Sequence, residues 1–335
     1  MTIADVARAA GVSKMTVSNV TSGRVGVRPE TRARVLAAIE HSGYQVNPLA
    51  RALAGGRSRL IGITVPSLSW PYVGEIVQGA SQAAEAAGLD LAVFTWPSGQ
   101  PLPDGLALLR HLTGGLLSIL PPDLEDESIW PRSAPSPPQV SVGGPGRYQL
   151  LVDNYGGARQ AAAYLADLGH TRIAHIVGAT DTAPHDAAER LRGYRDELHS
   201  RGLALPDAYV SPGTYHERSG LDAAQALLRL PDPPTAIFAA NDAMAVGAVH
   251  AAQDLGLRVP HDLSVVGFDD LPSARAVRPN LTTVRQPLRD LGRLGVLWLG
   301  ALARGEQPSS PHILPTELVV RESSGPGPSR FKGVL

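Results

Sequence analysis

The sequence predicts an α/β protein in two unequal parts: an N-terminal three-helix helix-turn-helix domain plus hinge helix, then a two-lobed parallel α/β core. Three observations predict it. Thr2 to Val20 holds two short helical patterns around one glycine, positive charge gathers before residue 60, and apolar strands alternate with amphipathic helices from there on. The boundaries drawn are 1–46, 47–58, 59–322 and 323–335, the last a flexible tail because Ser323-Ser-Gly-Pro-Gly-Pro-Ser329 has no helical pattern.

Thr2 and Asp5 stand at capping-box spacing, and Ile3, Val6 and Ala10 make an apolar face, so the first helix starts near Ile3 and ends at Gly11. Ser13 caps a second helix whose Val17 and Val20 point inward while Lys14, Met15, Ser18 and Asn19 point out. A capped helix behind a glycine turn can enter a major groove. A third helix opens at Arg28-Pro29, buries Val35, Ala38 and Ile39, and stops at Gly43-Tyr44. Residues 1–59 carry nine Lys+Arg against three Asp+Glu, in a chain of 335 residues whose net charge is −1. Charge segregated in this way neutralises phosphates at one end only.

Asn47 to Gly55 is a helical candidate too short to persist alone in water, and reads as a hinge. Strands are expected at 60–65, 89–95, 115–120, 140–142, 172–177, 235–239 and 263–267. Helices at 74–87, 157–168, 188–202, 219–230 and 242–256 fall between them, mostly with glycine stops. Pro131 to Pro138 reads as a surface loop. Two such α/β units imply two lobes with a ligand cleft between them.

These blocks resemble the LacI-type (lactose/purine repressor) family of bacterial transcription regulators. The resemblance rests on Thr2–Val20, Val27-Arg-Pro-Glu-Thr-Arg32, Gly43-Tyr44 with Asn47-Pro48, Leu53-Ala54-Gly55, Gly169-His170, Ala240-Asn-Asp242 and Asp262 to Asp270, and runs nearly end to end. It implies a periplasmic-binding-protein-like core whose chain crosses between lobes near 151–156, 283–287 and Thr316. Lys14, Met15 and Asn19 match base-reading positions, Thr16 and Ser18 backbone or supporting ones, and Arg28 joins the DNA-binding set. Asparagine suits adenine, whereas many relatives carry arginine where Asn19 stands. From the hinge, Asn47, Ala50 and Leu53 would meet operator DNA, with Leu53 wedged into the minor groove. In the cleft the resemblance marks Arg190, Tyr215, Asn241 and Asp269. Trp70 and Tyr72 are either an opposite wall or interface or lid residues, and Asp270 shapes a turn. Many sugar-binding relatives have an aspartate where Gly143 stands here, so hydroxyl recognition on that side is missing or falls to Asp153 or Asn154.

The expected function is a ligand-responsive repressor, of carbohydrate-use genes by resemblance, that binds a palindromic operator as a homodimer, with a sugar as effector. A non-sugar ligand such as a nucleobase, and a solute-binding protein, are the alternatives. The start shows no basic-then-apolar leader, no run of roughly 18 apolar residues occurs, and cysteine is absent. A cytoplasmic protein without cofactor or metal is expected. An enzyme has little support, because phosphate-loop, nucleophile-elbow, zinc-protease and dinucleotide fingerprints are all missing, and the scattered histidines, His170 and His175 included, read as structural.

Overall fold

The computed structural model describes residues 2–21, 26–44, 58–96, 112–121, 137–179 and 184–327. Helices α1 (Ile3–Ala9), α2 (Lys14–Thr21) and α3 (Pro29–Ser42) form the amino-terminal module. Thr2 donates from its backbone nitrogen and its hydroxyl to Asp5 Oδ2, at 2.9 and 2.8 Å, and so caps α1. Gly43 takes a φ of 61° and ends α3, as only a residue without a side chain does readily. Val6, Ala7, Ala10, Val17, Val20 and Val35 close a core of their own.

Two six-stranded sheets follow. The first contains β1 (Leu60–Val65), β2 (Asp90–Thr95), β3 (Gly115–Ile119), β4 (Gln139–Val142), β5 (Gln149–Val152) and β11 (His312–Leu314), in the order β11-β5-β4-β3-β1-β2. The second contains β6 (Ile173–Val177), β7 (Val210–Pro212), β8 (Ala236–Ala239), β9 (Ser264–Asp269), β10 (Thr282–Arg285) and β12 (Glu317–Val319), in the order β12-β10-β9-β8-β6-β7. Only the β10–β12 pair is antiparallel among the described strands. Helices α4 (Pro71–Ala86) and α10 (Leu288–Ala303) pack on the first sheet. Helices α5 (Asn154–Asp167) and α6 (Pro184–Ser200) cover one face of the second. The other face belongs to α7 (Glu217–Leu228), α8 (Asp242–Asp254) and the short α9 (Ser273–Ala276). The chain passes between lobes after β5, between β10 and α10, and between β11 and β12, where the resemblance places its three crossings.

Three expectations change. The helix α10 and the strands β5, β7, β10, β11 and β12 were not foreseen, since each strand spans only three or four residues and α10 is interrupted by Gly292 and Gly295. Residues 323–327 are not a free tail. Ser323 pairs with Val265 in both directions, its hydroxyl donating at 2.6 Å to the carbonyl that β9 offers, and Gly327 donates to Leu168. Buried His170 also meets Gly325 and Ser264, at 3.1 and 3.0 Å. Asp270 does more than shape a turn: Arg275, Arg285 and Arg321 all donate to its carboxylate, which this company holds below its ordinary range. The hinge residues 47–57 and most of the proline-rich loop lie outside the described residues.

Lobe one depends on the close approach of α4 and α10. A Cβ at Gly292 would stand 1.9 Å from the carbonyl oxygen of Ile76, and one at Gly79 would stand 2.0 Å from that of Arg289. Backbone cannot yield as a side chain does. Gly292→Ala is therefore expected to lower the unfolding free energy by about 1–3 kcal/mol, read as a lower urea midpoint at unchanged slope. A wild-type midpoint would show that the two helices separate freely.

Candidate functional site

A cavity of about 450 Å³ opens between the lobes. Lobe one contributes Ser69, Trp70, Pro71 and Tyr72 at the start of α4, with Leu120 just after β3; lobe two contributes Asp186, Arg190, Tyr215, Asn241, Asp269 and Leu271. Asn241 and Asp269 stand at the carboxyl ends of β8 and β9, where parallel sheets present side chains to a crevice. The two walls differ in kind. Trp70, Pro71, Tyr72 and Leu120 are aromatic or aliphatic, and a Cβ at Gly143, whose φ is 68°, would meet Leu120 at 2.8 Å. The facing wall is charged.

Its centre is Arg190, only 3 % exposed. Nε donates to Asn154 Oδ1 at 2.8 Å, Nη1 donates to the Ala240 carbonyl at 2.5 Å, and the guanidinium lies 3.9 Å from the centre of the Phe268 ring. A planar cation leaves water at tolerable expense when its donors are met and a ring faces it. Asn154 is thus behind the cavity wall. It also donates to Asp186 Oδ1 at 3.0 Å, so it aligns two cavity residues and touches the space through them. Asp153 is committed elsewhere, capping α5 by accepting from Gly156 at 2.7 Å.

Asn241 accepts from Met244 at 2.9 Å, as a helix cap does, and donates to the Tyr215 carbonyl at 3.0 Å. That second bond fixes Tyr215, whose φ is 62°. The ring lies so near Gly178 that a Cβ there would come within 2.1 Å of it, and its hydroxyl is buried without a partner. Burial pushes the Tyr215 phenol up to about 12, and raises Tyr72 as well. Asp269 has a φ of 122° and accepts from Gln286 Nε2 at 2.6 Å. Burial pushes its carboxyl up to about 7, with Arg190 and Gln286 opposing and Asp186 adding to the rise. Asp186 is raised by burial too, and so is Asp242 beneath, which accepts from Thr283 and Leu271. Sequence reading missed Asp186. Its signal was available, because it lies one helical turn before Arg190 on α6.

On the amino-terminal module, Val17 and Val20 are buried, Lys14, Met15 and Arg28 are exposed, and Thr16, Ser18 and Asn19 are half-exposed. Ser13 caps α2 by accepting from Thr16 at 3.1 Å. Asn47, Ala50 and Leu53 lie outside the described residues.

Residues 2–47 match the family of bacterial regulatory proteins, lacI family, and residues 162–324 match the periplasmic binding protein-like domain. Catabolite control protein A of Priestia megaterium is 33 % identical over 332 residues, covering 97 % of this chain and 99 % of the relative. The chain belongs to the lacI family. Among its relatives, the ribose operon repressor of Escherichia coli is 36 % identical over 301 residues, covering 88 % of this chain and 91 % of that one. The lac repressor dimer bound to operator and the anti-inducer ONPF superposes with a TM-score of 0.83 at 30 % identity, over 97 % of this chain and 99 % of that one. This chain is accordingly a ligand-responsive transcription regulator of the lacI family.

For this lacI-family cleft, Asp269 makes a pH-dependent test. A carboxyl raised to about 7 in the folded chain, against 3.8 as its ordinary value, loses nothing in acid. As pH rises from about 4 to about 7 the unfolded chain ionises first, so folding is progressively disfavoured and the deficit is complete above the folded value. Asp269→Asn keeps the Gln286 bond and removes the charge. It should therefore be more stable than wild type near pH 8, with the margin vanishing towards pH 4 in parallel denaturation curves; a pH-independent margin would show that Asp269 titrates normally.

Proposed function

We propose that this regulator is a repressor that binds a palindromic operator as a homodimer through α2 and the segment around Leu53. A small polyhydroxylated ligand, a sugar, in the interlobe cavity sets the angle between lobes and thereby the affinity for DNA. The carrying observation is a wall of hydrogen-bonding and charged side chains, Arg190, Asn241 and Asp269, at the three-crossover junction of a chain that also has a capped, outward-facing helix at its basic end. A ligand that bonds the charged wall and packs on the aromatic one stabilises one angle, and only differential affinity for the two angles shifts their populations. The relatives support this reading by what their names record: a ribose operon repressor, a regulator CelR in complex with cellobiose, and a lac repressor dimer on its operator. No helix among the described residues is long and apolar enough to cross a membrane. The work of such a protein is binding without catalysis, at the chromosome and so in the cytoplasm.

The proposal is tested on selected operator DNA. Native mass measurement should give two chains per palindrome, and one chain on a single half-site at equal affinity would overturn it. Arg190→Ala should bind operator like wild type yet fail to release it at ligand concentrations that free wild type, because no described residue of the amino-terminal module lines the cavity. Release at the wild-type concentration would remove Arg190 from the site. At the other end, Asn19→Arg should move the preference at one symmetric pair of positions from adenine to guanine, with a discrimination of about 1–3 kcal/mol. An unchanged selection profile would place Asn19 on phosphate or solvent.

A further inference from the structure

The cavity is unbalanced in charge. Among the described residues its lining has one arginine, Arg190, and the exposed imidazole of His216, against the buried carboxyls of Asp186 and Asp269 and the exposed Glu217. Arg190 spends its bonds on two neutral acceptors, Asn154 and the Ala240 carbonyl, and forms an ion pair with neither aspartate. Asp242, fully buried below, adds a third carboxyl to the same neighbourhood. Among the described residues no lysine lines the cavity. Two buried carboxyls that share one arginine leave a surplus of negative charge, which a proton or a cation neutralises.

Three further observations point the same way. Trp70, Tyr72 and Tyr215 line the space with aromatic rings, whose faces attract cations. The Tyr215 hydroxyl is buried with no partner. On the lobe-one side the described lining is Ser69, Trp70, Pro71, Tyr72 and Leu120, none of them cationic, so a phosphate or carboxylate on the ligand would meet an apolar wall and repelling carboxyls.

We propose that the effector carries a protonated amine, seated between Asp186 and Asp269 and flanked by the aromatic rings, on a polyhydroxylated frame: an amino sugar. This rests on the reading of the cavity as the effector site. An ammonium supplies the missing charge and donates to both carboxyls, whereas a neutral sugar supplies donors alone.

Two measurements on the full chain test it. The first is calorimetry near neutral pH with matched pairs: glucose and glucosamine, galactose and galactosamine, cellobiose and the β-1,4 disaccharide of glucosamine. At least one amine should bind tighter than its hydroxyl partner by about tenfold or more, and Asp186→Asn should erase that margin. A neutral member binding as tightly as its amine, or no amine binding at all, overturns the proposal. Operator release by a neutral sugar would do so while leaving the regulator reading intact, whereas failure to bind any palindromic DNA would break that reading instead. The second measurement needs no ligand. Asp186→Asn should raise the melting temperature of the empty protein near pH 8, and the gain should shrink as the pH falls and the carboxyls protonate. An unchanged or lower melting temperature near pH 8 would mean that the charge is already balanced.

Discussion

A buried guanidinium organises the ligand-facing half of this protein. Arg190 reaches from α6 to the residue that follows the first crossover, to the end of β8 and to a ring at the end of β9. Three separate stretches of chain must be in place before its donors are satisfied, and an unsatisfied buried cation is among the more expensive defects a fold can carry. Asn154 shows the consequence. It is the first residue of α5, and its amide joins Arg190 to Asp186 while its neighbour Asp153 caps the helix. The first crossover is thereby tied to the cavity without touching its space.

Asp269 and Asp270 divide the remaining work between two adjacent residues. Both have positive φ, 122° and 60°, a conformation that a side chain enters only when its surroundings dictate it. Asp269 turns to the cavity and accepts from Gln286, which lies in the second crossover. Asp270 turns to Arg285 and Arg321, and Arg285 also bridges to Glu317 just past the third crossover, at 3.0 Å. A ligand that engages Asp269 therefore acts on a residue already bonded to one crossover and next in sequence to an anchor for two.

What was legible in the sequence follows from how local each signal is. Helices α1 to α3 were readable almost to the residue, since caps, glycine stops and apolar spacing lie within a few positions of one another. The strands that run through the middle of each sheet declared themselves as apolar runs. Helix α10 did not, because the glycines at 292 and 295 that weaken its helical signal are the ones that admit Ile76 and Leu117. In the cleft, Arg190, Asn241 and Asp269 were found through resemblance, and the structure gathers them with Trp70, Tyr72 and Tyr215 around one space. Asn154, assigned to the ligand, is not among the residues that line the cavity and bonds to Arg190 and Asp186. No sequence pattern distinguishes a side chain that faces a cavity from one that stands directly behind it.

The size of the switch bears on why two chains would be used. Moving a lobe equilibrium from one part in a hundred to its reverse takes about 5.5 kcal/mol of differential binding. One charge-assisted hydrogen bond made in a single state contributes about 1.5–3 kcal/mol. The amino-terminal module closes its own small core, so that energy must reach it through the connecting segment rather than through a shared interior. One such bond in one cavity falls short. Two cavities acting on a single paired reader roughly double the contribution, which brings the sum into the required range without asking either ligand to bind unusually tightly.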